Sequence, residues 1–249
     1  MNLDECLKEI AEYQKIDFDI ILKNYNDVKE RYPGFVKWSN LSAEEWEKKD
    51  IDQKNINSVM EFYRKTPNYI FELMEYHSTE AKQRLSNTII DVCRENNFGR
   101  ILDFGAGVCQ DSINAARNNF DATAADIPGK TFDFGKWRIK SKNVKVKTID
   151  IMNEEPLVEN YDAITCFEVL QHVVSPEKTL AHLRDHLKPG GILFITTRFK
   201  NNYSLALKHN ECLENTFEEF VQKNDLSIKG KKHMWGEKER AKFLYLLRK

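Results

Sequence analysis

The sequence predicts an α/β fold, a doubly wound and mostly parallel sheet of seven strands with one antiparallel edge strand, preceded by a helical N-terminal region. After residue 98, short apolar runs typical of strands alternate with amphipathic stretches typical of helices, the pattern of parallel βαβ units. Nine of the ten glycines follow residue 98. The preceding residues instead repeat apolar side chains at helical spacing.

Composition and charge exclude several classes of protein. The chain of 249 residues has 38 Lys and Arg against 39 Asp and Glu, a net charge of -1, whereas a general nucleic-acid binder usually carries a basic excess. No apolar run approaches the roughly 20 residues that span a bilayer, and the first ten residues lack the apolar segment of a secretory signal. Five cysteines without metal-type spacing indicate reduced thiols. We therefore expect a cytoplasmic protein with no membrane partner and no nucleic-acid partner.

The first 98 residues are interpreted as a succession of helices. Ser42, with Glu45 three residues later, has the form of a capping box and predicts that a helix begins there. Thr66-Pro67 ends one helix, and its proline can begin the next. Residues 78–97 form an amphipathic helix. With no Ser-, Gly- or Pro-rich linker after it, this helical region is expected to pack onto the rest of the chain.

From residue 100 the predicted elements alternate. The strands are expected at residues 100–104, 122–126, 144–150, 161–169, 192–197, 226–231 and 241–248. The helices are expected at residues 112–119, 130–140 and 216–223, with another from Ser175 through Leu187 that Pro189-Gly190-Gly191 should stop. The last two strands flank a turn at Gly236-Glu237, and such a hairpin makes one edge strand antiparallel.

Polar residues and glycines follow the predicted strands, at the carboxyl ends where parallel sheets bind ligands. The first strand leads into Gly105-Ala106-Gly107, where the backbone can approach a ligand without an intervening Cβ atom. The second strand ends at Asp126, whose carboxylate can accept hydrogen bonds from both hydroxyls of a ribose. The third ends at Asp150, placed to take an exocyclic amine of a purine, and the fourth at Phe167-Glu168.

This part of the chain resembles the class I S-adenosylmethionine (SAM)-dependent methyltransferases over roughly residues 98–249. The segments that carry the resemblance are ILDFGAG, AADIPG, KTIDI, YDAITCFEVLQHV and HLKPGGILFITT. It implies a Rossmann-like fold, SAM as the cofactor and methyl transfer as the activity. The cofactor-binding residues that it implies are Asp103, Gly105, Ala106, Gly107, Asp126, Ile127, Asp150, Ile151, Phe167 and Glu168.

The resemblance also assigns roles to these residues. The glycine turn would lie against the methionine part of the cofactor, with Asp103 helping to hold its ammonium group. Asp126 would hold the ribose, Asp150 with Ile151 would flank the adenine, and Phe167 with Glu168 would border the reacting side. The competing interpretation is a nicotinamide-binding domain, which would need Gly or Ala where Gln110 stands. A purely structural strand-to-helix turn is the third possibility.

One position departs from the family pattern. Where the family often has a third glycine, this chain has Cys109. Its side chain must point aside or fill space that is usually empty, and we interpret it as a packing residue rather than a nucleophile.

His172 is the candidate catalytic residue. It follows the fourth strand, and imidazole is the natural general base near neutral pH. This stretch resembles that of small-molecule O-methyltransferases such as those of quinone biosynthesis. Ordering of the loop and metal ligation are the alternatives, although Glu168 and Gln171 lack the further acids of a convincing metal site, so no metal is predicted.

The acceptor is expected to be a small molecule, methylated at oxygen. Residues 1–98 are predicted to form a helical lid that also binds the acceptor, and residues 99–249 the SAM-binding domain. The candidate acceptor-binding residues are Tyr63, Tyr69, His77, Arg198 and Tyr203. The basic run at residues 136–147 is interpreted as a solvated face rather than an RNA platform. N-methylation of a small molecule, methylation of a peptide or protein, and a role as a cofactor-binding activator subunit stay open.

Overall fold

The computed structural model describes residues 1–32, 38–151, 157, 159–199, 205–235 and 242–249. Within these ranges, six helices precede the first strand. They are α1 (Leu3–Gln14), α2 (Phe18–Arg31), α3 (Trp38–Lys48), α4 (Ile56–Lys65), α5 (Asn68–Ser78) and α6 (Glu80–Glu95). As predicted, Pro67 lies immediately before the first residue of α5. Among the described residues, no helix is long and apolar enough to cross a membrane.

The sheet has the order β3-β2-β1-β4-β5-β7-β6. Its strands are β1 (Arg100–Phe104), β2 (Asp121–Asp126), β3 (Val146–Asp150), β4 (Tyr161–Phe167), β5 (Leu187–Thr196), β6 (Ser227–Trp235) and β7 (Lys242–Arg248). The first five strands pair in parallel, which confirms the predicted α/β class. β7 pairs antiparallel with both β5 and β6, so the antiparallel hairpin at this edge is confirmed, and β7 lies between its two partners. The predicted turn at Gly236-Glu237 lies outside the described residues.

Helices cover both faces of the sheet. Those that follow the first strand are α7 (Gln110–Arg117), α8 (Lys130–Ser141), α9 (Pro176–Asp185) and α10 (Phe217–Lys223), with short 3-10 helices at Leu170–His172 and Lys208–Glu214. One apolar cluster packs α9 and α10 against one face, and a second packs α6 and α7 against the other. The loops and the N-terminal helices therefore lie at the carboxyl ends of β1, β2 and β4.

The predicted end of α9 is wrong. The helix ends at Asp185, and Leu187, expected on its apolar face, begins β5 instead. Pro189-Gly190-Gly191 lies within β5, where the pairing with β4 shifts register between Tyr161 and Ala163 and Gly190 has φ of 78°. Proline and glycine are tolerated in a strand at such a bulge, so here they mark an irregular strand and not a helix stop.

The predicted capping box at Ser42 is also wrong. Ser42 lies inside α3 and is fully buried, and its hydroxyl hydrogen-bonds the Glu72 carboxyl on α5. Glu45 accepts hydrogen bonds from Thr66 Oγ1 at 2.5 Å and from Asn68 Nδ2 at 3.0 Å. Both side chains therefore make tertiary contacts among the N-terminal helices instead of capping a helix.

The N-terminal helices pack onto the α/β part through their own apolar cluster. Ile10 of α1 and Met74 of α5 share this cluster with Val108 of the glycine turn and Phe134 of α8. The apolar side chains of α1 and α5 thus contact the segment that follows β1.

Candidate functional site

The glycine turn lies at the carboxyl end of β1, between two neighbouring strands. Gly105 and Gly107 have φ of 73° and 52°, the left-handed region that side chains disfavour. The Gly105 N–H donates to the Ala125 carbonyl of β2 at 2.8 Å. On its other side the turn contacts α5, because a Cβ atom at Gly107 would lie 2.6 Å from Leu73 Cδ1. The turn therefore requires glycine for its backbone conformation, and at Gly107 it lies close to the flexible end of the Leu73 side chain.

Asp126 connects the end of β2 to this turn. One carboxylate oxygen accepts from the Gly107 N–H at 2.5 Å and the other from the Ile127 N–H at 2.6 Å. Burial raises the pKa of Asp126 to about 6, although the two backbone hydrogen bonds act in the opposite direction. The carboxylate thus lies against the glycine turn, where an acid that binds ribose hydroxyls is expected.

Asp150 and Ile151 lie at the neighbouring strand end. Asp150 is the register partner of Asp126 across β2 and β3, and the Ile151 N–H donates to the Asp126 carbonyl at 2.8 Å. The Asp150 carboxylate is exposed and pairs with Lys136 Nζ of α8 at 2.6 Å. An incoming amine would therefore compete with the Lys136 ammonium for this carboxylate.

Asp103, the other acid of the first-strand motif, is 5 % exposed and turned into the protein. It accepts from the Ser112 N–H and hydroxyl, each at 3.1 Å, and from Thr165 Oγ1 at 3.1 Å. Burial, helped by the Asp111 charge, raises the pKa of this carboxyl. Asp103 and Asp111 line a small cavity of about 20 Å³ that α6 and α7 enclose with β1 and β4. Contact with a cofactor ammonium would have to compete with these hydrogen bonds.

Lys82 and Asp111 are an ion pair that the sequence reasoning missed. Lys82 is 2 % exposed, and its ammonium lies 2.5 Å from Asp111 Oδ2 and 4.4 Å from the ring centroid of Phe167. Ser86 donates to the other Asp111 oxygen at 2.5 Å. A signal was present, because Lys82 shares the apolar face of α6 with Leu85 at helical spacing.

Helix α4 brings Tyr63 to the candidate base. The Tyr63 hydroxyl lies 2.9 Å from His172 Nδ1, and the Leu205 carbonyl lies 3.0 Å from the same nitrogen. A carbonyl oxygen only accepts, so Nδ1 carries the proton and Nε2 has the lone pair in the neutral ring. Tyr69 of α5 packs beside Tyr63, with ring centroids 5.5 Å apart. Of the predicted acceptor-binding residues, Tyr63 therefore contacts His172, and Tyr69 lies next to Tyr63.

Acidic groups surround the Tyr69 hydroxyl. Burial and the charges of Glu72, Asp126 and Glu168 raise the pKa of Tyr69 well above its usual value. Glu72, also missed from the sequence, has its own pKa raised to about 7 by burial. Its Oε2 atom is buried without a hydrogen-bond partner among the described residues. Glu168 has φ of 57° and accepts from Gln171 Nε2 at 3.2 Å.

Comparison with protein families decides the identity of this arrangement. The family model described as a methyltransferase domain matches residues 70–235, about two thirds of the chain. The chain belongs to the class I SAM-dependent methyltransferases. Expectations of family, fold and cofactor are thus confirmed.

Relatives of the methyltransferase match it over part of their length. A ubiquinone biosynthesis O-methyltransferase of Rickettsia akari is 31 % identical over 113 residues, 43 % of this chain and 44 % of the relative. One of Rickettsia bellii is 30 % identical over 145 residues, 56 % of this chain and 53 % of the relative. The chain thus spans about half the length of the curated relatives it matches.

Solved structures share the fold of the methyltransferase. A SAM-dependent methyltransferase from Clostridium acetobutylicum aligns with a TM-score of 0.59 at 15 % identity, over 72 % of this chain and 96 % of the other. Magnesium protoporphyrin IX methyltransferase from Synechocystis with bound SAM aligns with a TM-score of 0.57 at 16 % identity, over 80 % and 98 %. At these identities the likeness concerns the fold alone.

The remaining predicted acceptor-binding residues of the methyltransferase are more scattered. His77 is 8 % exposed near the far end of α5 from Tyr69, and burial lowers its pKa to about 3, so this imidazole is neutral. Arg198 follows β5 and is half-buried. Tyr203 lies outside the described residues. In the described part of the chain, no group of three or more His, Cys, Asp or Glu side chains is arranged to hold a metal ion.

Proposed function

We propose that this methyltransferase transfers a methyl group from SAM to a hydroxyl oxygen of a small molecule, with His172 as the general base. The observation that carries the proposal is the pair of contacts at His172 Nδ1, from the Leu205 carbonyl and the Tyr63 hydroxyl. They orient the ring and place the proton on Nδ1, so that Nε2 carries the lone pair of the neutral imidazole. The similarity to O-methyltransferases supports oxygen as the acceptor atom.

In the proposed reaction, SAM supplies an activated methyl group on a sulfonium. His172 Nε2 takes the proton of the acceptor hydroxyl as its oxygen attacks the methyl carbon. The sulfonium would keep the electron pair of its carbon–sulfur bond as the methyl group is transferred, so the products would be S-adenosylhomocysteine (SAH) and the methyl ether. The protein contributes in-line alignment and the base.

The cofactor would lie along the glycine turn. Gly105, Ala106 and Gly107 offer backbone to its methionine part, and the Asp126 carboxylate fits the ribose hydroxyls because it ends β2 against this turn. Ile127 would lie beside the ribose, and Asp150 with Ile151 at the adenine. Phe167 and Glu168, at the end of β4, would face the reacting sulfur.

We further propose that residues 1–98 form the lid and acceptor-binding region and residues 99–249 the cofactor-binding domain. Tyr63 and Tyr69 belong to this lid region. The Tyr63 ring lies beside His172, and the neighbouring Tyr69 lies close to Asp126 and Glu168. Aromatic side chains with convergent polar groups are typical of small-molecule sites.

The test is an acceptor panel of phenols, catechols, amines and short peptides, with release of SAH as the readout. The proposal expects methyl ethers from hydroxylated acceptors. Turnover of amines alone would instead establish N-methylation, and turnover of peptides alone would establish peptide methylation. An activator subunit would bind SAH by calorimetry and release none with any acceptor until its partner protein was added.

A further inference from the structure

Arg138 of α8 is a buried cation outside the site described above. It belongs to the basic run that was expected to form a solvated face, yet its side chain has 0 % exposure. A buried guanidinium is costly unless its donors are paired. The groups that pair with the Arg138 guanidinium therefore indicate the function of this residue.

These partners belong to two separate parts of the molecule. Arg138 Nη1 donates to the Val108 carbonyl at 2.5 Å, and Nη2 donates to Gln110 Oε1 at 2.6 Å. Val108 directly follows the glycine turn, and Gln110 is the first residue of α7. Nε donates to Glu9 Oε2 of α1 at 2.6 Å. One planar group thus spans from the N-terminal helix to the segment that carries the cofactor turn.

Glu9 is held in place from a second direction. Nζ of Lys142, the residue that follows α8, lies 2.5 Å from the other carboxylate oxygen of Glu9. Burial acts to raise the pKa of Glu9, but the Arg138 charge and the hydrogen bonds from Lys142 and Arg138 outweigh it and lower the pKa. The carboxylate is therefore ionised at neutral pH and fixes the orientation of the guanidinium.

We propose that Arg138, oriented by Glu9, is a positioning residue for SAM. Arg138 holds the segment from Val108 to Gln110 in its cofactor-binding conformation. The N-terminal helix α1 then acts on cofactor affinity through this contact, in addition to any part the lid has in binding the acceptor. Lysine cannot replace arginine here, because an ammonium lacks the planar fork that reaches three partners at once.

The test uses SAH binding, measured by calorimetry, and hydrogen exchange of the amides of residues 107–110. Glu9→Gln keeps the size and one acceptor oxygen of the side chain, and it lies on α1, away from the turn. We expect Glu9→Gln and Arg138→Lys each to weaken SAH binding at least fivefold and to speed exchange at residues 107–110. Their double variant should lose no more affinity than Arg138→Lys alone, because both act through the same contact.

Glu12→Gln is the matched control, since it removes the same charge from an exposed position of the same helix and should change SAH affinity less than twofold. Melting temperatures of the unliganded variants separate positioning from stability. Variants that melt earlier but bind SAH like the wild type would overturn the proposal. If Arg138→Lys does not yield folded protein, Glu9→Gln decides the question alone.

Discussion

Cys109 packs its sulfur against Gly135, a glycine within α8. A Cβ atom at position 135 would lie 2.5 Å from Cys109 Sγ and 2.7 Å from the Gly107 carbonyl oxygen. Cys109 has φ of 59° and is fully buried, and burial, the largest influence, raises the pKa of its thiol well above the usual value. The missing third motif glycine is therefore accommodated by a glycine on the facing helix, and the neutral thiol is a packing group, as interpreted from the sequence.

This contact predicts that Gly135→Ala destabilises the protein. Alanine normally favours a helix interior over glycine by roughly 1 kcal/mol. Here the added methyl group meets a sulfur and a backbone oxygen, and overpacking of this kind costs about 1–3 kcal/mol. We expect a net loss in the free energy of unfolding, measured by urea denaturation.

The sulfur's share of that loss can be isolated with Cys109→Ala, which removes Sγ and keeps the backbone strain at position 109. The Cys109→Ala/Gly135→Ala variant should lose less stability than the sum of the two single variants. Full additivity would show that Cys109 and Gly135 do not constrain each other. Recovery should be partial, because the clash with the Gly107 carbonyl stays.

SAH affinity should depend on pH through Asp126. Only the ionised carboxylate can accept from both ribose hydroxyls, and the pKa of this group is raised to about 6. At pH 5 roughly a tenth of it is ionised, so SAH should bind up to about tenfold more weakly than at pH 7.5. Calorimetry at both pH values measures this difference.

Asp126→Asn supplies the control for that pH dependence. This variant cannot ionise, so its SAH affinity should be low at both pH values and nearly independent of pH. Wild-type affinity that stays level between pH 5 and 7.5, or a variant that keeps the full pH dependence, would contradict the role of Asp126 as the ribose-binding acid.

Breaking the ion pair between Lys82 and Asp111 should be costly. Lys82→Met leaves the Asp111 carboxylate buried without its cation, a situation that costs about 3–5 kcal/mol. Adding Asp111→Asn removes the stranded charge and should restore much of the loss in chemical denaturation. Arg84→Met, on the exposed side of the same helix, should cost less than about 0.5 kcal/mol. Equal losses from Lys82→Met and the double variant would refute this account.

The sheet was predicted well from the sequence because each strand is identified by its own short run of apolar residues. The first-strand turn at Gly105-Ala106-Gly107 and the acid Asp126 follow from strand ends and glycine conformation alone. The capping pattern at Ser42 and the Pro189-Gly190-Gly191 motif led to wrong helix ends, because tertiary contacts and a register shift overrode the local preference.

The polar residues of the interior were harder to predict. The burial of Lys82 was missed, and Arg138 lies in the basic run that we interpreted as a solvated face, since most lysines and arginines are exposed. Their burial depends on partners about 30 to 130 residues distant, Asp111 for the first and Glu9 for the second. The hydrogen bond between Tyr63 and His172, which are 109 residues apart in the sequence, likewise depends on how the lid helices pack.

The contact between Tyr63 and His172 leads to a prediction about turnover, measured with the acceptor that the panel identifies. His172→Ala removes the proposed base and should lower turnover by about 10²- to 10⁴-fold while SAH affinity is kept. Tyr63→Phe removes one hydrogen bond at Nδ1 but leaves the Leu205 carbonyl, so turnover should fall roughly three- to tenfold. Tyr25→Phe, which deletes a buried hydroxyl bonded to Glu75, controls for general loosening of the lid and should leave turnover within twofold. Turnover retained in His172→Ala would show that the imidazole only orders the loop. If Tyr25→Phe loses as much turnover as Tyr63→Phe, lid packing rather than the orientation of His172 sets the rate.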